Sequence, residues 1–230
     1  MTRRLYDLVG CDDRRFSPNC WRSRLALAHK GLDVETVPVR FTEKDRFAHT
    51  GSKTVPVLED GDRTVATSWE IAVYLDEAYP DRPALMGDRH GRSLTRFIDS
   101  WADTILHPAM TRCILLDIHD HLEPGDRPYF RESREKRFGA ALEDVVADAD
   151  GNRLRLNQAL APVRSLLQKQ PWIAGTAPAY ADYLVVGAFQ WARCVSPRRL
   201  LDDDDPIREW RDRMFGLFGG LADTTPCYRT

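Results

Sequence analysis

The chain has 230 residues, 43% of them hydrophobic and 30% charged, a balance that builds one large or two modest packed domains and excludes a disordered chain. With 33 Lys and Arg against 35 Asp and Glu the net charge is −2, which argues against a phosphate-tracking basic protein and so against a nucleic-acid partner. The most apolar stretch, Leu184 to Phe189, is far short of the roughly eighteen residues of a membrane span. The opening MTRRLYDLVGCDD is broken by Asp7 before it can form the apolar core of a signal peptide, and the five cysteines (Cys11, Cys20, Cys113, Cys194, Cys227) are odd in number and form no CxxC pair. A cytoplasmic protein with reduced thiols and no membrane partner is expected.

The first eighty residues alternate strand and helix signals. Leu5 to Val9 reads as a short strand, and Ser17 and Pro18 open a helix with a hydroxyl at the N-cap and proline at the first helical position. His29, Lys30 and Gly31 supply its cationic last turn and a terminating glycine. A second strand is predicted over Val34 to Val39. Val55 to Leu58 and Arg63 to Thr67 flank Asp60-Gly61, a hairpin signal. A helix from about Trp69 to Ala78 then stops at Pro80.

The stretch from Pro80 to Gly91 reads as a linker, after which the periodicity is helical throughout. Leu94, Phe97, Ile98, Trp101 and Ile105 mark one face of a helix that His107-Pro108 should kink. Further helices are predicted from about Tyr129 to Ala147, Leu154 to Gln168, Tyr180 to Cys194 and Pro206 to Phe218, the last capped by Asp205.

Three features of the first region converge on one ligand. In SPNCWR (17–22) the helix N-terminus presents free N–H groups and the Ser17 hydroxyl, a setting that welcomes an anion and lowers the pKa of a thiol held there. A plain N-cap is the competing reading. In KTVPVLEDG (53–61) Pro56 removes a donor and holds Val55 extended, leaving Val55 backbone groups to pair with a peptide-like ligand, unless this is an ordinary edge strand. In TSWEIAVYL (67–75) Ser68 caps a second helix and makes a carboxylate site.

In order and spacing these features resemble the cytosolic glutathione transferases and, more narrowly, their bacterial glutathione-dependent β-aryl etherase branch. The likeness is carried by LYDL (5–8), SPNCWR, SWEIAVYLDEAYPDRPAL (68–85), GDRPYFRESRE (125–135), ALEDV (141–145), ADY (181–183) and DDPIREW (204–210), across nearly the whole chain. The resemblance implies a thioredoxin-like, glutathione-binding domain over 1–82, a linker over 83–91, and an all-helical domain over 92–230 that holds the electrophile. It implies glutathione as co-substrate, a homodimer, and a detoxifying transferase, with aryl ether cleavage as the narrower activity. Ser17 becomes the donor to the glutathione sulfur, Val55 the backbone partner of the cysteinyl unit, and Pro56 a cis proline. Ser68 holds the γ-glutamyl carboxylate, while Arg40 and Lys53 meet the glycyl carboxylate. Thr67 stands where many relatives place an acidic or amide residue against the γ-glutamyl amino group, so Asp99 or Asp103 of the partner subunit is the substitute carboxylate to consider. Ala179 replaces the usual capping-box hydroxyl, at an expected loss of about 1 kcal/mol.

Trp101, His107 and Trp191 are the candidate wall of the electrophile site, although core packing also accounts for each tryptophan. Tyr6 reads as strand packing. Cys20, three residues after Ser17, supports a rival reading as a glutathione-dependent thiol oxidoreductase, with an inward-facing structural thiol as the simpler account. Thr67 supports a second rival, a non-catalytic binding protein of the same fold. In DIHDHLE (117–123) the two histidines sit two apart and face different ways on a helix, so no metal site is expected. The run Arg131 to Arg137 reads as a wet helix face with Glu132 paired to Lys136.

Overall fold

The computed structural model describes residues 3–229, leaving Met1, Thr2 and Thr230 outside the description. Four strands, β1 (Arg4–Leu8), β2 (Glu35–Val39), β3 (Val57–Asp60) and β4 (Arg63–Ala66), form one sheet in the order β2-β1-β3-β4. β1 runs parallel to β2 and antiparallel to β3, and β3 and β4 form a hairpin. The parallel pair needs a crossover, which α1 (Pro18–His29) supplies, and α2 (Ser68–Ala78) follows the hairpin. This is the expected thioredoxin-like domain. β3 starts two residues later than expected because Pro56 has no N–H to place in a ladder.

α2 corrects the assignment of its cap. Thr67, not Ser68, is the N-cap, and its Oγ1 accepts a hydrogen bond from the Glu70 N–H at 3.3 Å. Thr67 has φ +70°, an unfavourable value for a β-branched residue, and that turn of the backbone brings its hydroxyl over the first helical turn. Ser68 becomes the first residue of the helix.

The second half is helical. α3 (Arg89–Trp101) passes through a π turn, Ala102–Leu106, into α4 (His107–Asp120). The kink expected at His107-Pro108 is absorbed in that widened turn, since Pro108 has no N–H to complete the α-helical ladder. The single helix expected over 129–147 is two, α5 (Arg127–Phe138) and α6 (Leu142–Ala147), divided at Gly139 with φ +66°. α7 (Ala149–Leu167) begins five residues earlier than expected, capped by Asp148 accepting from the Gly151 N–H at 2.9 Å. α8 (Tyr180–Val195) is buried almost throughout, and α9 (Pro206–Phe215) is capped by Asp205 as expected but ends three residues sooner. Among the described residues no helix is long and apolar enough to cross a membrane.

Ala179 brings no hydroxyl to the start of α8, yet the other half of the capping box is present. The buried Asp182 carboxylate accepts from the N–H groups of Ala179, Ile173 and Ala174 and from the Trp210 indole, at 2.7–3.1 Å.

The segment between the two halves is a clasp. The N–H groups of Leu85 and Met86, both buried, donate to the Asp76 carboxylate, which pairs with the buried Lys30 ammonium at 2.6 Å, and the Leu85 carbonyl accepts from the Tyr180 N–H. α1 then lies directly on α8: a Cβ on Gly187 would come within 2.7 Å of the Pro18 carbonyl oxygen. Leu94 and Phe97 on α3 and Ile105 in the π turn are 69%, 72% and 49% exposed, so part of the apolar face read from the sequence points to solvent rather than into the core.

Gly187→Ala must push α1 off α8. A loss of about 1–3 kcal/mol is expected, read as a lower denaturant midpoint at unchanged slope; unaltered stability would contradict the close approach.

Candidate functional site

A cavity of about 460 Å³ lies between the domains over the N-terminus of α1. The fold aims that end of the helix into it through Pro18, which sets the first turn, and Ser17, which is 7% exposed and lines the cavity. The Ser17 Oγ accepts from the Cys20 N–H at 3.2 Å, which leaves its own proton to donate. The next backbone donor, Asn19 N–H, has no partner among the described residues.

Val55 lies on the same cavity and its peptide bond to Pro56 is cis. Among the described residues neither the N–H nor the C=O of Val55 is hydrogen-bonded, the condition for pairing with an extended ligand. The Pro56 carbonyl accepts from the Thr67 N–H at 3.1 Å, so the Val-Pro turn and the start of α2 are held side by side. Among the described residues the N–H groups of Ser68 and Trp69 have no partners at that helix end, and the Tyr180 hydroxyl fixes it from α8 by donating to the Ser68 carbonyl at 2.7 Å.

Of the residues singled out in the sequence, Ser17, Arg40, Lys53, Val55, His107 and Trp191 line the cavity. Pro56, Thr67 and Ser68 stand behind Val55 and outside the lining. Trp101 does not reach it and packs against the core. The reason is helical phase: Asp103, His107 and Thr111 present one face at four-residue spacing, and Trp101, two residues before Asp103, points elsewhere.

His107 is held from below. The Arg22 guanidinium, itself 1% exposed on its side chain, pairs with Asp99 at 3.3 Å and Asp103 at 3.0 Å and donates to His107 Nε2 at 3.2 Å. An arginine can only donate, so Nε2 is the accepting nitrogen and the ring proton sits on Nδ1, 3.5 Å from Asp103. Burial, then the charges of Arg22 and Arg137, push the imidazole well below its ordinary pKa. The ring meets Trp191 edge-on at 5.9 Å. Asp99 is buried between Arg22 and Arg96, so its carboxylate is already engaged within the same chain.

Cys20 is 0% exposed, and burial followed by the Asp7 charge raises its thiol well above the ordinary value. The five cysteines are unpaired. Tyr6 packs in β1 and its hydroxyl donates to Glu59 at 3.3 Å. In 117–123 the His121 ring meets the Asp117 carbonyl and the Tyr228 hydroxyl, and His119 pairs with Asp120. The loop of Asp12, Asp13, Arg14 and Arg15 is tied to the far end of the chain: Arg14 donates to the Cys194 carbonyl at 2.7 Å and the Arg15 N–H to Thr225 Oγ1 at 2.9 Å.

The run Arg131 to Arg137 departs from its expected role. Arg131 pairs with Glu135 at 2.9 Å and Glu143 at 2.8 Å, in place of the Glu132–Lys136 pair suggested by spacing, and Arg134 and Arg137 line the cavity. Phe41, Lys44 and Phe130 also line it and had not been singled out. A signal existed in the spacing of Phe130, Arg134 and Arg137, which share one helix face.

Two family models match the chain: glutathione S-transferase, N-terminal domain, over residues 16–78, and glutathione S-transferase, C-terminal domain, over 93–215. Glutathione S-transferase Z1 of Arabidopsis thaliana is 31% identical over 142 residues, covering 57% of this chain and 64% of that protein. Maleylacetoacetate isomerase of Rattus norvegicus is 28% identical, covering 59% and 65%. The matched region thus spans just under two thirds of the length of these relatives. Among solved structures, a glutathione S-transferase of Ceriporiopsis subvermispora in complex with glutathione superposes with a TM-score of 0.83 at 22% identity, covering 98% of this chain and 99% of that one. A glutathione transferase of Phanerochaete chrysosporium gives 0.78 at 26% identity, covering 96% and 93%.

His107 supplies a pH test. Its pKa when folded lies well below the ordinary 6.5, so the stability it contributes as a neutral ring is whole above about pH 6.5 and is lost as the pH falls through the folded value. The stability difference between the wild type and His107→Gln, followed by urea denaturation, should therefore shrink from pH 8 towards pH 5 (values on the order of the histidine range). A pH-independent difference contradicts a neutral, buried imidazole.

Proposed function

Since the chain belongs to the glutathione S-transferase family, we propose that it activates the thiol of glutathione and directs the thiolate onto a small aromatic electrophile. The observation that carries this reading is the Ser17 hydroxyl at the open end of α1, facing a cavity that Val55 also lines with both backbone groups unpaired among the described residues. The tripeptide lies extended along Val55, its γ-glutamyl carboxylate at the start of α2 where Ser68 and Trp69 offer N–H groups. Thr67 stands beside it, and the glycyl carboxylate reaches Lys53 and Arg40.

The chemistry needs no base residue in this arrangement. The thiol gives its proton to solvent, and the thiolate is held by the Ser17 O–H and the N-terminal dipoles of α1. A charge-assisted hydrogen bond of about 1.5–3 kcal/mol lowers the thiol pKa by one to two units, enough to turn a minor thiolate fraction into a major one at neutral pH. The sulfur then bonds to the electrophilic carbon as the leaving group departs with its electron pair. His107 and Trp191 form the wall on the helical side. The narrower reading, displacement of an aryloxide from a carbon next to a ketone, rests on the sequence likeness to the β-aryl etherase branch.

The thiol oxidoreductase reading lacks comparable support, because the Cys20 thiol is sealed from the cavity and held protonated by burial. For the homodimer, the supporting observation is the exposed apolar stripe of Leu94, Phe97 and Ile105, which a second copy of the chain would cover.

Ser17→Ala should lower kcat with a chloronitrobenzene by about 10- to 100-fold and move the pH–rate profile up by about one to two units, with little change in glutathione affinity. An unchanged profile removes the proposed role, and loss of turnover in Cys20→Ala would restore the redox alternative. Phe97→Glu should convert a dimer to a monomer in sedimentation experiments; a wild-type monomer would exclude the dimer.

A further inference from the structure

The glutathione reading makes no use of the cavity wall formed by α5. Arg134 and Arg137, one helical turn apart, both line the cavity on the helical side. The Arg134 guanidinium lies over Phe130 at 4.9 Å and Phe41 at 5.7 Å. One Nη1 hydrogen goes to Ser133 Oγ at 3.0 Å, and stacking of this kind leaves the other in-plane donors for a further acceptor. Arg131 on the same helix has two carboxylate partners, whereas neither Arg134 nor Arg137 has one within 4.0 Å among the described residues. Burial, then the neighbouring Arg137 charge, pushes Arg134 below its ordinary pKa, and Arg137 acts in the same sense on His107.

Two like charges set together without a counter-ion are unfavourable unless an anion answers them. The rest of the wall has the same character. Lys44, over the Tyr129 ring at 4.9 Å, also lacks a carboxylate partner among the described residues, and Trp191 has a buried indole N–H without an acceptor. Five cationic side chains line the cavity against the one carboxylate of Asp103. The tripeptide's own carboxylates are matched on the thioredoxin-like domain by Lys53, Arg40 and the start of α2, which leaves the α5 pair for the second substrate.

We propose that the electrophile is an aromatic carboxylate, its carboxylate held by Arg134 and Arg137 and its ring against Phe41 and Phe130. The planar fork of arginine suits a carboxylate, and the flanking aromatic faces suit a flat ring. The reacting step rests on the glutathione transferase reading; binding of the anion does not.

The test uses a matched pair, 4-chloro-3,5-dinitrobenzoate and its neutral carboxamide. In each, the glutathione sulfur bonds to the carbon bearing chlorine, chloride leaves with the bonding pair, and the thiol proton passes to solvent. The acid should exceed the amide in kcat/KM by about tenfold or more, and Arg134→Gln or Arg137→Gln should erase most of that preference. A wild-type ratio near one, or variants that lower both substrates alike, overturns the proposal. Binding of the unreactive 3,5-dinitrobenzoate and 3,5-dinitrobenzamide, read by quenching of tryptophan fluorescence without glutathione, separates the two readings. Preference for the benzoate that is lost in Arg134→Gln, with no turnover of either electrophile, supports the anion site while the transferase reading fails; equal affinities overturn the anion site. Calorimetry with glutathione is the final arm: if Arg134→Gln weakens the tripeptide as much as the benzoate, the arginines serve glutathione and the proposal is wrong.

Discussion

The contact between α1 and α8 is the constraint on which the rest of the molecule hangs. Only a glycine at 187 lets the Pro18 carbonyl come so close, and the contact lies beside Ser17, whose side chain lines the cavity. Arg22, one turn further along α1, is buried among Asp99, Asp103 and His107 and ties the same helix to the π turn between α3 and α4. A helix end is useful as an anion site only where its unsatisfied N–H groups are held in place and partly shielded from water. Here the two domains supply both conditions, since one provides the helix and the other provides the seat.

The same economy appears in the polar groups around the site. Pro56 and Thr67 share a backbone hydrogen bond, Tyr180 reaches from α8 to the Ser68 carbonyl, and Asp76 joins buried Lys30 to the inter-domain segment. Each of these groups is satisfied internally, which stiffens the walls. Among the described residues the Val55 backbone and the Asn19 N–H are left without partners on the cavity, and the first N–H groups of α2 are left so behind Val55. The strained φ of Thr67 belongs to this set, because that backbone turn aims the α2 N-terminus.

Electrostatics divides the molecule in a way its net charge of −2 conceals. Most arginines are neutralised by carboxylates on the surface, where such pairs contribute little to stability. Among the described residues those facing the cavity are mostly left without a carboxylate partner, and five cations line it against one carboxylate although the whole chain is slightly acidic. A positive potential of this kind favours anions over neutral ligands. The neutral His107 adds an aromatic surface without adding charge.

Much of the fold was legible because it obeys short-range rules. Ser17-Pro18 and Asp205-Pro206 mark helix starts, Asp60-Gly61 a hairpin, and periodicities of two and 3.6 residues separate the mixed domain from the helical one. Where local signals competed, the boundary moved: Thr67 displaced Ser68 as the cap, Gly139 split a helix, and Pro108 widened a turn instead of kinking it. Within the site, Ser17, Val55, His107 and Trp191 could be named from the chain, while Trp101 could not be excluded until the phase of the α3–α4 rod was known. Arg134 and Arg137 read as surface charge because a sequence shows alternation of sign along a helix but not which face another domain covers. By itself, then, the sequence determined the Ser17 and Asp205 caps, the hairpin and the division into a mixed and a helical half, all properties written within a few neighbouring residues. The tertiary structure alone decided which side chains meet across the cavity and which charges go unanswered there, because those depend on contacts between residues far apart in the chain, such as Arg22 with His107 and Phe41 with Arg134.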